Sequence, residues 1–162
     1  MSSCSSCPYW VTSRIGGCYL PCRGDIDKLV ASGVAALVSL VEEYELRECW
    51  RSYSELESTL REKNILHYRL PTPDGGAPNL EEACRLIQEL KEVESSGGRV
   101  VFHCYGGQGR TGTMIIAYLV LTKNIDINYA TSLLRRANPC AGPSTEEQYY
   151  FIEYITHLCL GE

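Results

Sequence analysis

The run VAALVSLV, residues 34–41, constrains the fold more than any other stretch of this chain, because it is apolar at every position but Ser39 and rich in valine. A strand that is apolar continuously, rather than at alternate positions, has to be covered on both faces, as inner strands of parallel sheets are. RVVFH at 99–103 and ILHYRL at 65–70 read as two further strands, and Ser13–Leu20 with Pro21–Ile26 as a short N-terminal strand or hairpin. Helical segments fall between them: about Asp25–Ser32, ended by Gly33, and about Glu45–Lys63, ended by Asn64. A third, NLEEACRLIQELKEVE, has Asn79 as its cap and Leu80, Ala83, Ile87, Leu90 and Val93 on one face. After RVVFH only helices follow, at Thr113–Lys123, Asn128–Ala137 and Ser144–Leu160, the last opening with STEE as a capping box. The alternation predicts an α/β single domain, its mostly parallel central sheet of about four to five strands flanked by helices. In such sheets ligands sit beyond the C-terminal strand ends, where the loops 71–78 and 104–110 fall.

A chain of 162 residues is one domain at its simplest. A net charge of -5 argues against a nucleic-acid partner, although a local cradle can still hold a small anion. The longest apolar run, Met114–Leu121, is far below the roughly 20 residues that cross a bilayer, so no membrane partner is expected. The opening MSSCSSCPYW lacks the basic and apolar stretches of a secretory signal, so a cytoplasmic location is expected. Nine cysteines are an odd number, so at least one stays unpaired within the monomer. Cys4-x-x-Cys7 and Cys18-x-x-x-Cys22 have spacings tolerable for zinc, but without a nearby histidine they read better as free thiols or structural disulfides. Disulfides in a cytosolic protein would suit a hyperthermophile.

The chemistry concentrates in VFHCYGGQGRTGT, residues 101–113. GQGRTG, 107–112, fits the dinucleotide pattern G-x-G-x-x-G, yet that fold needs a following strand with an acid about 20 residues on, and here helices follow. A site built on sulfur accounts for more of the residues. Cys104 ends a buried strand, and the loop Tyr105, Gly106, Gly107, Gln108 and Gly109 can turn its backbone N–H groups inward beside a helix N-terminus. Such a cradle would hold a dianionic phosphate and favour a thiolate at Cys104. Arg110 would grip two phosphate oxygens with its planar fork.

His103-Cys104-x5-Arg110-Thr111 resembles the signature of the cysteine-dependent protein tyrosine phosphatase superfamily, and the surrounding sequence is similar to its small dual-specificity branch, especially archaeal members. The likeness runs from Tyr9-Trp10 to the final helix. It implies a protein tyrosine phosphatase-like fold, with residues 9–162 as the catalytic domain behind a flexible segment 1–8. It implies Cys104 as nucleophile, residues 105–109 as the phosphate-binding loop, Arg110 as clamp and, about thirty residues before the cysteine, Asp74 of LPTPDGGAP as general acid and base. By the same resemblance Thr111 would donate its hydroxyl to the Cys104 sulfur, His103 would orient the loop, and Gln148 would position the hydrolytic water. Glu42 or Glu43 would brace Arg110, unless both are a solvated strand end. His67 and His157 read as ordinary surface or partly buried residues.

Two departures stand out: Asn138-Pro139-Cys140 replaces the family's Arg-Pro-Gly, and the chain is one residue longer before Thr145. The implied activity is hydrolysis of phosphotyrosine, and in a shallow site also phosphoserine and phosphothreonine, through a cysteinyl-phosphate. Partners would be phosphorylated proteins or peptides, the enzyme a monomer, and no metal or organic cofactor is required. The loop carries no lysine of the kind that holds extra phosphates, which disfavours phosphoinositides. An accessible thiolate invites oxidation, with eight other cysteines as candidates to resolve it.

Overall fold

The computed structural model describes Cys4 and residues 6–159. Residues 1–3 and 5 of the expected N-terminal segment, and residues 160–162 at the end of the expected last helix and domain, lie outside the described residues. The strands are β1 (Tyr9–Trp10), β2 (Ile15–Cys18), β3 (Val34–Ser39), β4 (Leu66–Arg69) and β5 (Arg99–His103). They form one sheet in the order β1-β2-β5-β3-β4, parallel except for the β1–β2 hairpin. Ala36, Leu37 and Val38 of β3 are fully buried, as an inner strand covered on both faces requires. The helices are α1 (Arg23–Ala31), α2 (Tyr53–Glu62), α3 (Leu80–Ser95), α4 (Gly109–Lys123), α5 (Ile127–Ala137) and α6 (Glu146–Cys159). α4 is the hub. Its residues 110–119 are all buried, and it packs against α5, α6 and the sheet, which explains an apolar pattern without a polar face.

Three elements differ from expectation. The N-terminal hairpin is made by β1 and β2, not by Pro21–Ile26, where α1 already begins at Arg23. The single helix predicted over 45–63 is a 3-10 turn, Glu43–Glu48, followed by a break and then α2. Trp50 causes the interruption together with its neighbour: its buried indole N–H donates to the Pro21 carbonyl (2.8 Å), and Cys49 is bonded to Cys22. At α6 the cap is Thr145, whose hydroxyl accepts from the Gln148 N–H (3.2 Å). The expected box from Ser144 to Glu147 does not form, because Glu147 instead accepts from the Ala77 N–H (3.0 Å).

The cysteines pair as Cys4–Cys140, Cys7–Cys18, Cys22–Cys49 and Cys84–Cys159, leaving Cys104 as the one free thiol of the nine. The residues with zinc-like spacing are therefore disulfide partners. The expectation that another cysteine stands ready to resolve an oxidised Cys104 is corrected for the same reason: all eight are already bonded to one another.

Candidate active site

Cys104 follows β5 directly and is buried at the C-terminal edge of the parallel strands. The loop after it is fixed from below by two hydrogen bonds. Leu20 N–H donates to the Tyr105 carbonyl (3.0 Å), and the buried Tyr9 hydroxyl donates to the Gly107 carbonyl (2.7 Å). Gly107 has φ +75° and lies so close to β2 that a Cβ there would stand 2.7 Å from the Cys18 carbonyl carbon. Only glycine meets both conditions. The Gln108 carbonyl accepts from Gly112 N–H (2.9 Å) inside α4 and from Gly142 N–H (3.1 Å), joining the loop to the segment before α6. Tyr105 points outward, its hydroxyl donating to Glu48.

Arg110 sits in the first turn of α4 and is 2% exposed. Its Nη1 and Nη2 each donate to one oxygen of Glu45 (2.8 Å each), and Nη1 also donates to the Thr72 carbonyl (2.8 Å). The brace expected from Glu42 or Glu43 is thus Glu45. The 3-10 turn rotates Glu45 inward, while Glu42 N–H donates to Glu45 (2.8 Å) and Glu43 accepts from the Tyr53 N–H (3.2 Å). Burial pushes the Glu45 carboxyl up, but the hydrogen bonds and charge of Arg110 hold it below its ordinary value. A guanidinium has five N–H donors. Three are taken here, and those left, Nε–H and the outer Nη2–H, form one edge of the fork. Asp74 approaches that edge, its Oδ1 3.7 Å from Nη2 on a side chain 85% exposed.

Gln148 is buried and links three pieces of the site. Its Nε2 donates to the Gly76 carbonyl (3.1 Å), its Oε1 accepts from Ser144 N–H (2.9 Å), and it lies against Gly109 of the loop. The segment Asn138–Ser144 that precedes Thr145 carries the Gln108–Gly142 bond. Thr111 Oγ1 is buried with no hydrogen-bond partner, so its hydroxyl is not bonded to the Cys104 sulfur in this arrangement.

A buried free thiol, a clamped arginine and an exposed carboxylate on an adjoining loop thus lie at the C-terminal end of the parallel strands. Residues 16–124 match the family described as "Polymorphic toxin system, DSP-PTPase phosphatase", two thirds of the chain including Asp74, Cys104 and Arg110. The chain belongs to this DSP-PTPase family. Among curated proteins it is similar to the phosphatidylglycerophosphate phosphatase PTPMT1 of Arabidopsis thaliana, 28% identical over 88% of this chain and 42% of that protein. It is similar also to the tyrosine-protein phosphatase CDC14 of Candida albicans, 26% identical over 88% of this chain and 24% of that one. The chain therefore spans less than half the length of these two relatives. A crystal structure of Tk-PTP in the active form superposes with a TM-score of 0.80 at 26% identity, covering 91% of this chain and 95% of that one.

In this DSP-PTPase chain the signature histidine heads a relay that the sequence did not reveal. His103 Nδ1 lies 3.0 Å from the Cys104 carbonyl and Nε2 lies 2.6 Å from Ser39 Oγ, which is 2.8 Å from His67 Nε2. A carbonyl only accepts, so neutral His103 carries its proton on Nδ1 and its Nε2 accepts from the Ser39 hydroxyl. Ser39 then accepts from His67 Nε2–H, leaving His67 Nδ1 bare, and that atom is buried without a partner. Burial pushes both imidazoles down to about 4. An unfolded chain binds protons at these sites from about pH 6.5 downward. The relay's stabilisation is therefore complete above that value and declines as pH falls to about 4, where the folded protein also takes up protons. For His103 alone this is about 3 kcal/mol. Urea unfolding at pH 8, 6.5, 5 and 4 is expected to show a level stability to pH 6.5 and a steep fall below it. A midpoint that stays level to pH 4 would refute the neutral relay.

Proposed function

We propose that this chain is a protein phosphatase that hydrolyses phosphotyrosine, and also phosphoserine and phosphothreonine, through a cysteinyl-phosphate. The observation that carries this reading is that Arg110, six residues after the one free cysteine, keeps Nε–H and one Nη2–H unused by Glu45 and Thr72, with Asp74 Oδ1 3.7 Å from Nη2. In the first step the Cys104 thiolate attacks phosphorus, the bond to the leaving oxygen breaks, and Asp74 supplies that oxygen with a proton. Loop N–H groups of residues 105–109 and the free edge of Arg110 hold the equatorial oxygens where charge builds. In the second step water attacks phosphorus, Asp74 takes its proton, and the sulfur leaves as thiolate. The unpartnered Thr111 hydroxyl would donate to that sulfur and Gln148 would orient the water, readings supported by the free Thr111 Oγ1 and by Gln148 lying against Gly109. His103 acts through the loop rather than on substrate, and no step calls on a metal.

The test is hydrolysis of aryl phosphates by the reduced nucleophile with a chelator present. Asp74→Asn is expected to slow esters with poor leaving groups about 10²–10⁴-fold and to affect strongly activated esters much less. An equal effect on both ester types, or none, would remove Asp74 from the acid role. Phosphotyrosine peptides are expected to be turned over faster than phosphoserine or phosphothreonine peptides, since the longer residue carries its phosphate farther from the backbone and has the better leaving group.

A further inference from the structure

A groove of about 490 Å³ lies between the Asp74 loop and α6, outside the phosphate cradle. Three bonds fasten its upper end to the active site: Thr145 Oγ1 donates to the Gly75 carbonyl (2.8 Å), Gln148 to Gly76, and Ala77 to Glu147. Its floor is Pro78, Leu80 and the buried Phe151. Its wall is Tyr150 and Tyr154, half exposed and stacked at 6.0 Å with 21° between their planes, and Glu146 stands at the rim. Among the described residues, neither lysine nor arginine lines it.

We propose that this groove is a specificity subsite that takes an arginine or lysine side chain of the phosphopeptide substrate, an inference that rests on the phosphatase reading above. A long cationic side chain matches it part by part. The methylene stem lies on Pro78 and Leu80, and the charged head meets the faces of the tyrosines and the carboxylates of Glu146 and Glu147. An apolar side chain would use only the floor. An anionic lipid surface would meet Asp74, Glu146 and Glu147 with no cation to receive it. The position of the basic residue follows from chain lengths. Ala77 is three residues beyond Asp74, a span of at most about 11 Å, which an extended peptide crosses in about three residues. The cationic residue therefore stands two to four positions from the phosphorylated one.

The experiment compares phosphotyrosine peptides carrying Arg, Ala or Glu at each of those positions, on either side, with a small aryl phosphate as reference. Arginine at one or more positions is expected to raise kcat/KM about tenfold over alanine, mostly through KM, with the advantage shrinking as salt rises. The double variant Glu146→Gln/Tyr154→Ala should bring that advantage below about threefold and leave aryl phosphate turnover unchanged. Equal rates for the three peptide series, or an arginine advantage untouched by the double variant, would each overturn the proposal while the phosphatase reading stands; faster turnover of phosphatidylinositol phosphate vesicles than of any peptide would overturn the proposal and the protein substrate, and leave the cysteinyl-phosphate mechanism. Absence of aryl phosphate hydrolysis would overturn the proposal and the phosphatase reading together.

Discussion

Cys104→Ser is expected to abolish turnover, by about 10⁴-fold or more, while phosphopeptide binding and fold stability stay close to those of the natural protein. A serine hydroxyl keeps its proton at neutral pH, so it becomes a nucleophile only where a base can take that proton. This site has no group free to do so. His103 is held between the Cys104 carbonyl and Ser39, and its Nε2 lone pair already accepts from the serine hydroxyl. In the proposed mechanism Asp74 is the proton donor of the first step, not a base, and Glu45 is bound at both oxygens to Arg110. The cradle and the free edge of Arg110 do not depend on the sulfur, so calorimetry should still detect phosphotyrosine peptide binding. Residual turnover within about tenfold of the natural rate would mean that another residue carries the phosphoryl group.

How far the site was legible in the chain depended on how locally each part is encoded. Cys104, its loop and Arg110 lie within seven residues whose spacing alone puts them on one strand end and one helix start. Asp74 sits thirty residues earlier, and family resemblance rather than periodicity led to it. The brace of Arg110 was legible only as "an acid after β3": the string VEEYELRE offers several carboxylates, and the backbone turn decides which one faces inward. Ser39 and His67 looked unremarkable because their roles arise from parallel pairing. Ser39 lies opposite both His103 and Arg69 across two ladders, which brings strands nearly thirty and more than sixty residues apart to one point. Structural disulfides stood among the sequence's alternatives, but their pairing was not legible, since eight cysteines allow 105 connectivities and the nearest pair in sequence is not the bonded one.

Complete reduction of those disulfides is expected to unfold or nearly unfold the protein at 37 °C, although Cys104 itself has to be reduced to act. The bonds close loops with sequence separations of 136, 75, 27 and 11 residues. In the chain-entropy account the longest contributes about 5 kcal/mol and the shortest about 3, and the nested loops make the total less than the sum. Even so, the combined loss is of the order of the whole stability of a domain this size, about 5–15 kcal/mol. Three of the bonds also hold pieces of the site. Cys7–Cys18 steadies the strand under Gly107, Cys22–Cys49 anchors the turn that carries Glu45, and Cys4–Cys140 borders the segment hydrogen-bonded to Gln108. Bonds of this number persist where thiols are not held reduced, or in intracellular proteins of hyperthermophiles. Alkylation of the protein unfolded without reductant should label one cysteine, and alkylation after reduction should label nine. Nine labels without reductant would show that the bonds do not form, and a fully reduced protein with an unchanged melting temperature would show that they form without supporting the fold.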